Sequence, residues 1–205
     1  MVTANILQRV LRVKCGLDCG TAFTVESAGK QFLISAKHVF EGLSQGLPIE
    51  VYKDSSWQII EGNSILCKDE SKDIIAFELR HELTDSHDLP ITLASNGAFL
   101  SQDIFFLGYP YGKSHNVNSS DGFPIPIVKK GIISMIGDPM VFDGHNNPGF
   151  SGGPVLVNDT QGGIQVVAIV SGFYTDSQNS PENSGIFFGD KIDYIVTAIK
   201  EYIGH

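Results

Sequence analysis

The chain has 205 residues, 42% of them hydrophobic and 18% charged, a balance that excludes a disordered or supercharged chain and supplies enough apolar surface for a core. Fourteen Lys and Arg against 23 Asp and Glu leave a formal net charge of −9, which argues against general nucleic-acid binding because that needs clustered cations. No stretch approaches the ~20 apolar residues of a membrane-spanning helix, and the first residues lack a basic-then-apolar leader, so the expectation is a cytoplasmic protein.

Residues 3–12 are a weak helix candidate. Cys15 and Cys19 stand in a C-x3-C spacing, half of a possible zinc site, but no second pair follows, and with Cys67 the number is odd. They read as ordinary buried or free thiols, with no metal. The segments 31–35, 103–107 and 164–170 are short, rich in β-branched or aromatic residues and bounded by turn residues, which predicts strands. Twenty-two glycines and nine prolines punctuate the chain at intervals suited to many short antiparallel strands. Residues 111–124 and 174–184 are polar and unpatterned and read as long loops. A division near 95–101 separates two β-rich halves of similar size. From Asp190 onward, Ile192, Ile195, Val196, Ile199 and Tyr202 recur at helical spacing, which predicts a C-terminal helix over 190–203 with Asp190 as its N-cap and Gly204 as its stop.

The strongest chemical signal is Asn147-Pro148-Gly149-Phe150-Ser151-Gly152-Gly153-Pro154. Glycines around Ser151 let the backbone turn tightly and approach another molecule closely. A nucleophilic serine needs that access, together with backbone N–H groups aimed at a developing oxyanion. The plain alternative is a glycine-rich turn before a strand. A serine hydroxyl also needs a histidine to take its proton and a carboxylate to orient that histidine. His38 follows the apolar run 32–36 and so sits on a rigid element. His81, His87, His115 and His205 stand in polar or terminal contexts and read as solvated, while His145 precedes Ser151 by six residues and is a candidate pocket residue. Asp73 heads the apolar run 74–79, where a strand mouth half-buries a carboxylate; Asp69 and Asp85 are alternatives. The resulting order His38, Asp73, Ser151 is the chymotrypsin order, and not that of subtilisins or α/β-hydrolases.

On these residues, and on Gly20-Thr21-Ala22-Phe23, Ser35-Ala36-Lys37-His38-Val39, Lys72-Asp73-Ile74-Ile75-Ala76, Gly108-Tyr109-Pro110 and Gly131-Ile132-Ile133-Ser134 in the same order, the sequence resembles the chymotrypsin-like serine peptidases, closest to the bacterial trypsin-like group that includes the HtrA proteases. The resemblance implies an all-β fold of two six-stranded antiparallel β-barrels with a C-terminal α-helix. Residues 1–98 would form the barrel carrying His38 and Asp73, and 99–205 the barrel carrying Ser151, together one peptidase domain. It further implies that Ser151 is the nucleophile, His38 the general base and then acid, and Asp73 the holder of its tautomer. The N–H groups of Gly149 and Ser151 would form the oxyanion hole. Ser171, Gly172 and Phe173 would bind an extended substrate as an added strand, and His145 would occupy the base of the primary specificity pocket, where no acid selects Lys or Arg. The expected partner is a protein or peptide substrate, without a cofactor, nucleic acid or membrane, and the oligomeric state is left open.

Departures from that pattern are informative. Phe150 stands where digestive trypsins carry an acid that receives a freshly cut N-terminus, and its bulk beside Gly149 raises the expectation of a tilted oxyanion loop. An Ile-Val-Gly-Gly-like start is absent, so activation through that ion pair is not expected. Val170 stands where glutamyl endopeptidases have a histidine, and Phe173 crowds the pocket, so small or medium apolar side chains are the expected preference. The HtrA proteins carry a PDZ domain, and the expectation here is a chain without one. Two competing readings stay open: a catalytically latent or silent peptide-binding protein on the same fold, and a non-peptide acyl hydrolase.

Overall fold

The computed structural model describes residues 2–85, 91–115, 118, 122–158, 163–177 and 180–204. A one-and-a-half-turn helix α1 (Ala4–Arg9) leads into β1 (Val10–Cys15), β2 (Asp18–Ser27) and β3 (Lys30–Ser35). A 3-10 segment (Lys37–Gln45) precedes β4 (Ile49–Lys53), β5 (Ser56–Ile60), β6 (Gly62–Leu66) and β7 (Ile75–Leu79). The second half contains β8 (Thr92–Leu93), β9 (Asp103–Gly108), β10 (Ile127–Met135), β11 (Met140–Asp143), β12 (Pro154–Asn158), β13 (Ile164–Ile169), β14 (Gly172–Ser177) and β15 (Ser180–Gly189). The helix α2 (Asp193–Ile203) closes the chain.

The first sheet runs β5-β4-β1-β2-β3-β7-β6. Glu61 alone separates β5 from β6, and β5 pairs with β4 while β6 pairs with β7. One bent strand therefore joins both ends of the sheet, and seven elements make a six-stranded barrel. Gly62 stands at this corner because a Cβ there would lie 2.7 Å from Glu78 O. The second sheet runs β14-β15-β11-β10-β9-β12-β13-β8 and closes in the same way. Across the β13–β14 join, Val170 N–H donates to Gly153 O (2.9 Å) and Ser171 N–H to Phe188 O (3.1 Å), so pairing passes from β12 to β15. β8 adds only a short parallel edge to β13.

Two apolar clusters fill these barrels. One gathers Phe23, Phe32, Leu33, Phe40 and Phe77 of the first half. The other stacks Phe106, Phe142, Phe150 and Phe187 in the second. The helix α2 lies against β6 and β7, and its Ile195, Ala198 and Ile199 enter the first cluster. The C-terminal helix thus leaves the second barrel and seals the first.

Three sequence expectations are corrected. The helix over 3–12 ends at Arg9, because Val10, Leu11 and Val13 gain more by burial in the barrel, paired with β2, than by continuing a helix. Arg9 is itself buried and ion-paired to Glu26. The C-terminal helix begins at Asp193, not 190. Asp190 does not cap it, since its carboxylate is engaged elsewhere. Part of 174–184 is not loop, since β14 and β15 continue there as a hairpin. Its exposed faces leave no apolar alternation to read. His87 and His205 lie outside the described residues, whereas His81 and His115 are exposed as expected.

Candidate active site

His38 is the second residue of the 3-10 segment that follows β3, and Asp73 lies just before β7, the strand paired with β3. This adjacency brings them together. Asp73 Oδ2 meets His38 Nδ1 at 2.6 Å, and Asp73 Oδ1 accepts the His38 backbone N–H at 2.9 Å. The two oxygens thereby fix both the ring and its backbone, and Lys37 N–H donates to Asp73 O (3.2 Å). The hydrogen bond to Asp73 raises the His38 pKa above the ordinary imidazole value, outweighing the opposing effect of burial. About two-fifths of the His38 side chain (41%) stays exposed, which leaves the far edge of the ring open to a reactant.

Ser151 follows a turn that its own sequence dictates. Phe150 N–H donates to Asn147 O (3.1 Å), closing a turn with Pro148 and Gly149 at its centre. Pro pre-sets the first central position, and Gly149, at φ +102°, supplies the positive φ of the second. A Cβ on Gly149 would lie 2.3 Å from Tyr109 O. Tyr111 N–H holds Pro148 O (2.8 Å), and the Thr21 hydroxyl holds Gly149 O (2.7 Å). The N–H groups of Phe150, Gly152 and Gly153 are all spent on backbone carbonyls. Among the described residues, those of Gly149 and Ser151 have no acceptor. Two unspent donors on either side of Phe150, one of them the serine's own N–H, are the kind of group an oxyanion requires.

The serine turn and the histidine segment meet across the two barrels. Thr21 N–H donates to Ser151 O (2.8 Å). A Cβ on Gly20 would sit 2.8 Å from Ser151 O and 2.7 Å from Val39 Cγ2, and one on Gly152 would sit 2.7 Å from Ala36 N. Residues flanking Ser151 are thus packed on residues flanking His38. Among the described residues, the Ser151 hydroxyl itself makes no hydrogen bond. Such contacts are often open in free enzymes.

No family model matches the chain, and no curated protein matches its sequence. Solved structures do. The chain is similar to the HtrA-type protease AlgW with tripeptide, at 21% identity and a TM-score of 0.66, over 97% of this chain and 61% of that one. It is similar to Deg5, at 19% identity and a TM-score of 0.63, over 96% of this chain and 90% of that one. It is similar also to a mutant of Rv3671c from M. tuberculosis H37Rv in its inactive form, at 18% identity and a TM-score of 0.60, over 97% and 88%. The fold is that of the trypsin-like serine proteases. The chain spans about three-fifths of the length of the AlgW structure it matches.

Within this protease fold, Phe150 does not crowd the turn that carries Gly149 and Ser151. It is fully buried, edge-on to Phe106 at 5.1 Å, so the residue before the serine anchors the turn in the second barrel's core. Lys129 braces the same segment from beneath, donating to His145 O and to Asn147 Oδ1 (2.9 Å), and burial lowers its pKa. A cleft of about 440 Å³ runs beside the turn, lined by Tyr111, His145, Asn147, Pro148 and Phe173 among others. His145 is exposed at this cleft, and the buried residue of its segment is Asn146, so His145 lines the rim and not the base. Ser171 is buried and the Gly172 backbone pairs with Phe188, and of the segment 171–173 it is Phe173 that lines this cleft. The three cysteines are free thiols. Burial pushes Cys67 up to about 11.

Sequence reasoning missed two contributors. Thr21 uses its hydroxyl and its N–H to hold the serine turn, and accepts Tyr109 N–H (3.2 Å) as well. Asp190 accepts the Asp73 N–H at 2.7 Å. Thr21 lay within a quoted motif, but nothing in that motif signals a contact with a residue more than a hundred positions away.

Proposed function

We propose that the chain is a serine endopeptidase working through His38, Asp73 and Ser151. The observation that carries this reading is the Asp73 carboxylate, which grips both the ring Nδ1 and the backbone N–H of His38 and leaves Nε2 as the free base. His38 takes the Ser151 proton as Oγ bonds to the scissile carbonyl carbon, and the carbonyl oxygen collects negative charge. The unspent N–H groups of Gly149 and Ser151 stabilise that oxyanion, at about 3–4 kcal/mol per donor. The imidazolium then returns its proton to the leaving amine as the C–N bond breaks. Water, deprotonated by His38, releases the acid from the resulting ester. A neighbour on this fold carries a tripeptide, which supports a peptide as the substrate class. It would lie along β14 near Phe173, extended as an added strand.

Labelling by a fluorophosphonate probe at neutral pH, with mass spectrometry to locate the adduct, tests this reading. The expected adduct is on Ser151, absent in Ser151→Ala and strongly slowed in His38→Ala. A folded protein that takes no label would sink it. The unbonded Ser151 hydroxyl favours, as the second reading, a latent peptide-binding protein. That reading predicts tripeptide or peptide binding without labelling.

A further inference from the structure

Asp190 is 7% exposed. It follows Gly189, the last residue of β15, and its own carbonyl accepts Ile169 N–H (3.0 Å), while Ile192 N–H donates to Val167 O (3.1 Å). Lys191 bridges to Ala168. The segment is therefore stitched to β13 of the second barrel. From there the side chain crosses to the first barrel, where Oδ2 accepts the backbone N–H of Asp73 at 2.7 Å. The bond is not a helix cap, since α2 starts three residues later and Asp193 spends its own carboxylate on Ser95 N–H (2.9 Å). Nor is it a cheap contact. Burial raises the Asp190 pKa, with the Asp73 charge adding to the cost. A buried acid set against another acid is a poor device for stability alone.

We propose that Asp190 is a positioning residue that pins the Asp73 backbone to the second barrel, and so holds the His38–Asp73 pair in register with Ser151. The inference rests on the serine-peptidase reading above. The paired residues come from one barrel and the nucleophile from the other, so any sliding between barrels separates them. Thr21 N–H to Ser151 O fixes the nucleophile side of that seam, and Asp190 fixes the carboxylate side.

The test uses the intact chain with Asp190→Ala and Asp190→Asn, the latter keeping an oxygen that accepts the Asp73 N–H. For Asp190→Ala we expect kcat to fall about 10- to 100-fold with KM changed by less than about twofold, whereas Asp190→Asn stays within about threefold of the parent in both. Asp190→Asn is not expected to lower Tm, whereas Asp190→Ala, which leaves the Asp73 N–H without its acceptor, is expected to lower it modestly. The low-field NMR resonance of the His38 Nδ1 proton should persist in Asp190→Asn and broaden or vanish in Asp190→Ala. An unchanged kcat and resonance in Asp190→Ala would overturn the proposal, as would losses in both variants that track a lowered Tm. Should the parent cleave no substrate, the peptidase reading fails but the resonance still decides: lost in alanine and kept in asparagine supports the pin, unchanged in both removes it.

Discussion

His38 illustrates how a single hydrogen bond sets a working range. The Asp73 carboxylate favours the charged imidazole and raises its pKa above the ordinary value of about 6.5. In the proposed mechanism only the neutral ring can take the Ser151 proton. Activity therefore falls as pH drops through the raised value, and the acidic limb of kcat/KM should lie above pH ~6.5. In Asp73→Asn the raising interaction is gone, so that limb should move down. The amide also no longer enforces the tautomer with Nδ1–H, and kcat should drop by about 10⁴-fold. A pH–rate profile of the two proteins checks both. An acidic limb that stays where it was would show that some other group titrates. Much of this pair was legible in the sequence, because His38 and Asp73 each sit at the end of an apolar run and the runs become paired strands. Phe150 was not legible in the same way. Its neighbours Gly149 and Ser151 drew attention to the loop, whereas its ring points into a core that only the folded barrel creates.

At the scale of the element, the turn Asn147–Phe150 is local chemistry made visible. Proline and glycine at its centre match the turn it forms, and the carbonyls of these two residues are taken by Tyr111 and Thr21. Gly149 is required twice, for its positive φ and for its approach to Tyr109 O. Gly149→Ala must displace either the turn or Tyr109. Since both unspent N–H groups belong to this turn, we expect kcat, or the rate of fluorophosphonate labelling, to fall by about 10²–10³-fold. The circular dichroism spectrum should stay that of the parent. A variant that labels at the parental rate would remove Gly149 from the oxyanion site. The β14–β15 hairpin is the opposite case. Its polar residues carry no alternation, so its strands come from pairing with one another and with β11, a signal absent from the local sequence.

For the whole molecule the governing feature is that two closed barrels meet at a seam where residues flanking Ser151 pack on residues flanking His38. Each closes through a bent strand, at Glu61 in the first and at Val170–Ser171 in the second. The seam between them is held by buried polar groups. Thr21 is fully buried, and its hydroxyl serves Gly149 O and Tyr109 N–H together. Thr21→Val keeps the shape and strands both partners, so it should cost about 1–3 kcal/mol in urea denaturation. It should also slow labelling of Ser151, because Gly149 O is released. Full stability with full labelling would show that the turn holds without this bond.

The sequence by itself determined what depends on near neighbours: the strand-rich character, the turn that presents Ser151, and the order of His38, Asp73 and Ser151. These follow from residue type and spacing, which act over a few positions. Only the tertiary structure decided what depends on distant partners. It turned Asp190 from a helix cap into a contact of Asp73, set α2 against the first barrel, moved His145 to the rim of its cleft and buried Phe150. Each outcome is a choice between alternatives of similar local cost, settled by which buried donor or apolar surface lies within reach once the barrels have closed.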